Sequence, residues 1–352
     1  MSTQRRHPLL LGTPLLLISA TLCLLIGEAA SRALHLSSTW TSYVAGREMN
    51  LAATLTKQPV GFTRIAGMTF PMPFNQTFTI NAAGFRDRAF TRTKPPGTVR
   101  VACLGDSVME GYAVKQAERM PDVAARALEA AGHGRYEMLN FGVAGHSTAD
   151  EYVVLRDVAL SYQPDIVVLQ VGWNDFADNL RKRPVVEHAA TETGVVAILP
   201  PPAAGTGVKG WLQSHSAFYL TIAERYSLWR LRRGGSSGLL ERVLATTPAE
   251  WAATDQLLAM VAAAGRAHGV PVFVVYVPLD VEVQTQRKAD AQMTSDRVQA
   301  MTRAYGGLSF VDALTPLRSH RSETLFVDDA HLTAAGHRLV GAAIAAALSR
   351  GR

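Results

Sequence analysis

Ser107, in Gly105-Asp106-Ser107, follows directly on an apolar run at residues 99–104. A serine at the carboxyl end of a buried parallel strand stands at the mouth of an α/β sheet, where ligands of such folds bind. Gly105 permits a tight turn, and the following segment can begin a helix whose amides point at developing negative charge. The chemistry open to such a hydroxyl is nucleophilic attack. It needs a base to take the proton, a third group to orient that base, and donors for the tetrahedral oxyanion. A lone Gly-Asp-Ser is an ordinary turn or helix cap in most chains, so the question is whether those helpers are present.

The base and its partner stand near the C-terminus. In Val327-Asp328-Asp329-Ala330-His331-Leu332, Asp328 precedes His331 by three residues, just ahead of the last helical pattern. In a loop that reverses direction, Asp328 can accept a hydrogen bond from one imidazole nitrogen and leave the other facing Ser107. Donors are offered by two turns. Asn140-Phe141-Gly142-Val143-Ala144-Gly145-His146-Ser147 follows a second apolar run, and a glycine there, Gly142 or Gly145, lets a backbone amide approach a reacting oxygen. Gly172-Trp173-Asn174-Asp175 follows a third run, and Asn174 can contribute a side-chain amide. Each motif is weak alone; four of them at strand ends of one sheet are hard to obtain by chance. Blander roles suit several neighbours. Asp106 is expected to brace its turn, His146 to face solvent, Asp329 to be exposed and His337 to be a packing or surface residue. Trp173 is either a pocket wall or a buried aromatic.

The elements that must position these residues alternate along the chain. Strands are expected at residues 99–104, 136–141, 166–171, 270–277 and 308–311, and helices at 122–131, 148–162, 249–268, 296–305 and 331–348. Alternation of this kind implies parallel βαβ units and a three-layer α/β/α sandwich around a central parallel sheet. Upstream, residues 70–74 and 77–81 read as short extended pieces, 81–84 as a turn, and Lys94-Pro95-Pro96-Gly97 as a linker. Residues 178–248 break the rhythm with Leu199-Pro200-Pro201-Pro202 and two Gly-rich patches. This insertion lies between the third and fourth strands and is expected near the site mouth, either as a lid or as a surface excursion. Its Trp229-Arg230-Leu231-Arg232-Arg233 run reads as an exposed basic helix face, with contact to a membrane surface as the other reading.

The N-terminus adds a location. Residues 9–26 are almost uncharged and apolar, follow Arg5 and Arg6, and are long enough to cross a hydrocarbon core of roughly 30 Å. The arginines predict a cytoplasmic N-terminus and an exported remainder. A signal peptide cleaved near Gly27-Glu28-Ala29 competes with an uncleaved signal anchor; the helical pattern continuing through residues 29–36 favours the anchor. The expected organisation is a cytoplasmic end at 1–8, a transmembrane anchor at 9–27, a membrane-proximal region at 28–96 and a catalytic domain at 97–352. With 48% hydrophobic and 18% charged residues, the chain of 352 residues is no disordered protein. The net charge of +6 comes without a dense basic block, so no nucleic-acid site is read. Of the two cysteines, Cys23 lies in the apolar segment and Cys103 in a buried strand, so they cannot pair. No zinc-like spacing occurs.

On these four blocks the chain resembles the SGNH (GDSL-type) hydrolase superfamily, over roughly residues 97–350. The resemblance implies the flavodoxin-like SGNH hydrolase fold and a serine esterase with Ser107 as nucleophile, His331 as base and Asp328 as its orienter. It implies an oxyanion hole from the Ser107 amide, the Gly145 amide and Asn174, and it favours Gly145 over Gly142 by place in the block. Val108 stands where the family has leucine, and no chemistry depends on that side chain. The chemistry calls for no metal and no organic cofactor. Asn81-Ala82-Ala83-Gly84-Phe85-Arg86-Asp87, with the anchor, resembles membrane-tethered bacterial members, which implies a single-pass protein of the bacterial cytoplasmic membrane with an exported catalytic domain. Export and mild basicity favour an acylated glycan of the envelope or the extracellular matrix as substrate, acetyl being the simplest acyl group. A lipid or lysophospholipid ester is the rival, and transfer of the acyl group to a glycan hydroxyl is the third reading. No protein partner is read.

Overall fold

The computed structural model describes residues 9–34, 36, 63–64, 66–67, 69–72, 76–180, 207–234, 237–286 and 288–350. The expected cytoplasmic end at 1–8, residues 73–74 of the first extended piece and the proline run at 199–202 lie outside them. The chain divides into two compact units, Met1–Glu48 with Pro201–Arg233, and Met49–Pro200 with Gly234–Arg352.

In the first unit, the helix Leu9–Ala33 runs unbroken through Gly27-Glu28-Ala29. Its 25 residues reach about 37 Å at 1.5 Å per residue. The window Leu16–Ala33 has a mean hydropathy of 1.5 and only 6% of it is covered by protein, so it is long and apolar enough for a membrane span or a signal sequence. The unit also holds the helices Gly207–His215 and Ala217–Gly234 from the insertion.

In the second unit, β1 (Thr69–Met72) and β2 (Gln76–Thr79) pair antiparallel. Five strands then form a wholly parallel sheet: β3 (Thr98–Leu104), β4 (Arg135–Asn140), β5 (Ile166–Val171), β6 (Val272–Tyr276) and β7 (Leu308–Asp312), in the order β4-β3-β5-β6-β7. Successive side chains point to opposite faces, so Val101, Cys103, Val168 and Val275 join one core and Ala102, Leu104, Leu169 and Val274 the other. The helices Met120–Ala130 and Ala334–Arg350 cover the first face, and Thr148–Asp157, Pro248–Ala267 and Lys288–Ala304 the second. Leu104, Leu169 and Val274 are fully buried; each such side chain contributes about 1.5–3 kcal/mol. The strand order reverses between β3 and β5, and the crevice beyond the carboxyl ends of two such strands is where open α/β sheets bind ligands.

Three expected boundaries moved. The closing helix begins at Ala334, not at 331, because a β-bridge pairs Leu332 with Phe326 and keeps the residues just before Ala334 out of the helix. The 148–162 segment is the helix Thr148–Asp157 followed by a tighter turn at Ala159–Tyr162, ended by Gln163 at φ 54°. The helix Lys288–Ala304 starts earlier than the apolar pattern at 296.

Candidate active site

Ser107 begins the short helix Ser107–Glu110 directly beyond β3. Asp106 caps it, accepting the Val108 amide at 2.7 Å, and is almost fully buried, so it braces the turn as expected. Burial pushes the Asp106 carboxyl up, opposed by the Val108 amide and by the charge of His331. Gly105 is required by space: a Cβ there would fall 2.5 Å from Met109 Cβ and from Gln170 Oε1. As the first residue of the helix, Ser107 has an amide without an intrahelical partner.

His331 Nε2 lies 2.9 Å from Ser107 Oγ, and His331 Nδ1 lies 2.7 Å from Asp328 Oδ2. The other Asp328 oxygen accepts the Ala330 and His331 amides at 2.9 and 2.7 Å. The loop reverses direction, as its spacing predicts: Val327 N–H donates to the His331 carbonyl, and Thr333 N–H to the Leu325 carbonyl. Burial opposes ionisation of Asp328, but its hydrogen bond to His331, the histidine's charge and the two amides outweigh it and hold the carboxyl below its ordinary value. Tyr112 packs its ring on the imidazole with centroids 4.5 Å apart.

The donor turns converge on the same edge. Gly145 adopts φ 85° on an exposed turn, the left-handed region that favours glycine. Gly142 donates its amide to Asn140 Oδ1 at 2.9 Å, so it is already committed. Asn174 Nδ2 donates to the His146 carbonyl at 3.1 Å, one residue from Gly145, which leaves its second hydrogen for another acceptor. Asp175 ties the two turns together: it accepts the Thr148 amide and hydroxyl at 2.6 Å each and the Gly172 amide at 2.7 Å. Burial and then the neighbouring Asp106 push the Asp175 carboxyl up to about 7, against the pull of these donors.

Several residues depart from expectation or were not singled out. His146 is fully buried, not solvent-facing. His337 is a packing residue that accepts the Met120 amide on Nδ1 at 3.2 Å; burial, then the charge of Arg119, lower it to about 3. Asp329 is half-buried, its carbonyl accepting the Asp280 amide. Glu110, Tyr112 and Asp175 were passed over. Glu110 is fully buried and bridges elements: Arg64 donates to its two oxygens at 2.7 Å each, and the Ala144 amide at 3.1 Å. An acidic residue three places after the serine in an apolar stretch was its only signal. Upstream, Arg86 donates to the carbonyls of Glu110, Gly111 and Val114, so the 81–87 turn grips the far end of the Ser107 helix.

Trp173 is half-buried and packs with Leu240, Val243, Leu279 and Val281, a cluster that also takes in Ala330 beside His331. The helix Ser237–Leu244, the last of the insertion, therefore reaches both the Asn174 turn and the His331 loop. A cavity of about 390 Å³ is lined by Trp173, Phe176, Glu241, Thr247 and Glu250 among others. Among the described residues, no three His, Cys, Asp or Glu side chains gather as a metal site would need.

The GDSL-like lipase/acylhydrolase family profile matches residues 103–339. Similar solved structures include LAE5, an alpha/beta hydrolase enzyme from the metagenome of Lake Arreo, Spain, at 13% identity, covering 73% of this chain and 97% of that one with a TM-score of 0.43. The acetyl xylan esterase AlAXEase is 16% identical, with 71% and 100% covered and a TM-score of 0.41. The lipase/acylhydrolase from Enterococcus faecalis is 18% identical, with 72% and 96% covered and a TM-score of 0.41. No curated protein matches the chain. Family membership rests on the 103–339 match and not on these likenesses.

Proposed function

Because this chain belongs to the GDSL-like lipase/acylhydrolase family of ester-hydrolysing enzymes, we propose that Ser107, His331 and Asp328 are its catalytic triad and that it releases a short acyl group from a glycan. The observation that carries the triad is the hydrogen-bond chain from Ser107 Oγ through His331 to Asp328, at 2.9 and 2.7 Å.

Ser107 Oγ attacks the ester carbonyl as His331 Nε2 takes its proton. The Ser107 amide, the Gly145 amide and Asn174 Nδ2 receive the oxyanion, which is where such a site gains most of its rate. Asp328 stays ionised, keeps the proton on Nδ1 and steadies the imidazolium. His331 then gives its proton to the leaving alcohol oxygen as the tetrahedral species collapses to the acyl-enzyme. Water, deprotonated by the same nitrogen, attacks the acyl carbonyl and frees the acid and Ser107. No step needs a metal or an organic cofactor.

The glycan reading is supported by the cavity beside Asn174. Trp173 is an aromatic lining residue of the kind that packs on sugar rings, and Glu241 a carboxylate that can accept from hydroxyls. An acetyl ester on an envelope or extracellular glycan suits it, with the domain from residue 97 held outside a bacterial cytoplasmic membrane by the helix Leu9–Ala33.

Ser107→Ala should abolish hydrolysis of p-nitrophenyl acetate with an unchanged circular dichroism spectrum. Retained turnover in that variant sinks the triad. An acyl-length series on p-nitrophenyl esters tests the acyl group: a maximum at long chains removes the acetyl reading in favour of a lipid ester. Appearance of the acyl group on an added sugar instead of in water marks a transferase.

A further inference from the structure

The insertion does something specific at the outer end of the N-terminal helix. Glu28 accepts hydrogen bonds from Ser216 Oγ at 2.8 Å and from the amides of Ala217 and Phe218 at 3.0 Å each, the opening residues of the helix Ala217–Gly234. Arg32, one turn later, pairs with Glu28 at 2.6 Å and donates to the carbonyl of His215, the last residue of the helix Gly207–His215. An anion thus meets a helix N-terminus and a cation meets a helix C-terminus. Both signs match the helix dipoles, and both side chains serve backbone groups that a helix leaves unpaired at its ends. The Phe218 ring lies directly on the backbone of the N-terminal helix, 2.8 Å from where a Cβ on Gly27 would stand.

The two clipped helices expose large apolar side chains. Val208 and Trp211 are 76% and 60% exposed, and Ile222 and Tyr226 are 52% and 56% exposed. The first pair is spaced i,i+3 and the second i,i+4, so each pair shares one face of its helix. From residue 9 to residue 26 the N-terminal helix rises about 26 Å, close to the ~30 Å of a hydrocarbon core, which puts Glu28 and Arg32 at headgroup level. Trp and Tyr concentrate at that depth, and amphipathic helices lie there in the plane of the surface.

We propose that the helices Gly207–His215 and Ala217–Gly234 are a membrane-surface ledge, clipped by Glu28 and Arg32 to a retained anchor, whose partner is the boundary between lipid headgroups and acyl chains. The proposal rests on the reading of Leu9–Ala33 as a membrane span. It gives that reading a structural reason, since cleavage near residues 27–29 would cut the clip from the helix that carries it. It also places a part of the insertion against the bilayer instead of leaving it as a free surface excursion.

The test uses the full chain in vesicles of phosphatidylcholine and phosphatidylglycerol. With Cys23→Ser and Cys103 buried, Ile222→Cys is the accessible thiol and takes an environment-sensitive nitrobenzoxadiazole dye. The expected result is a blue-shifted emission, quenched when the phosphatidylcholine carries bromines near the top of its acyl chains. Adding Glu28→Ala should return the spectrum toward its value in water. Water-like, unquenched emission from protein that floats with the vesicles overturns the ledge while leaving the anchor standing. A blue shift that appears only as protein concentration rises also overturns it, by showing that a second copy covers the face. Protein that fails to float after an alkaline wash overturns the anchor and the ledge together. Hydrolysis of p-nitrophenyl acetate in the same vesicles reports separately on folding and on the esterase.

Discussion

Replacing Glu110 with glutamine tests a buried link between the serine helix and the turn that carries Gly145. The substitution keeps volume and one oxygen but places an amide where a buried carboxylate faces Arg64 Nε and Nη2 at 2.7 Å and the Ala144 amide at 3.1 Å. Both partners of the ion pair are buried, so solvent does little to screen the loss. Breaking a buried pair from one side costs about 3–5 kcal/mol. At about 2–4 °C per kcal/mol for a domain of this size, melting should fall by roughly 6–20 °C. Arg64→Met in the Glu110→Gln background should recover part of that loss, because the uncompensated guanidinium is then gone. Activity reads the other end of the bridge. If Glu110 holds Ala144, and through it the Gly145 amide, kcat for p-nitrophenyl acetate should fall by up to about 10²–10³ with KM little changed, since the oxyanion exists only beyond the ground state. Calorimetry and steady-state kinetics on the two single variants and the double variant close the cycle. Unchanged melting and unchanged kcat in Glu110→Gln would refute the bridge.

Two further substitutions probe the site, and a third probes a buried histidine of the core. Asp328→Asn offers a donor where Nδ1–H needs an acceptor, so kcat should drop by up to about 10⁴-fold with the fold kept, and an unchanged rate would remove Asp328 from the triad. Asn174→Ala should lower kcat by about 10²–10³ with little change in KM, and a pure KM effect would make Asn174 a binding group instead. His337, held neutral by burial and lowered to about 3 against an ordinary 6.5, takes up a proton in the unfolded chain before the folded one. Its contribution is complete above pH 6.5 and is lost as pH falls toward 3, by at most about 1.4 kcal/mol per pH unit. His337→Asn keeps an acceptor for the Met120 amide, so melting measured between pH 7 and pH 4 should fall less steeply than in the parent; equal slopes would refute this.

The legible parts of this protein were those whose signal is local. The run at residues 166–171 is a strand with those bounds because five apolar residues around Gln170, between turn signals, suit a strand buried on both faces of a parallel sheet. Asp328 and His331 were readable because three residues of spacing suffice for a carboxylate and an imidazole to meet inside one reversing loop. That the closing helix starts at Ala334 was not, since the bridge between Phe326 and Leu332 depends on pairing and not on periodicity. Nor was the burial of His146: a loop histidine looks alike in sequence whether it faces water or protein. The pairs Arg64 with Glu110 and Glu28 with Ser216 join residues 46 and 188 positions apart, and no pattern along a chain encodes such a meeting. Local pattern along the chain sets the alternation of strands and helices, and with it which residues stand at the carboxyl edge of the sheet. Which of those residues touch follows from packing, because a hydrogen bond between distant elements exists only once both elements are packed on the same core.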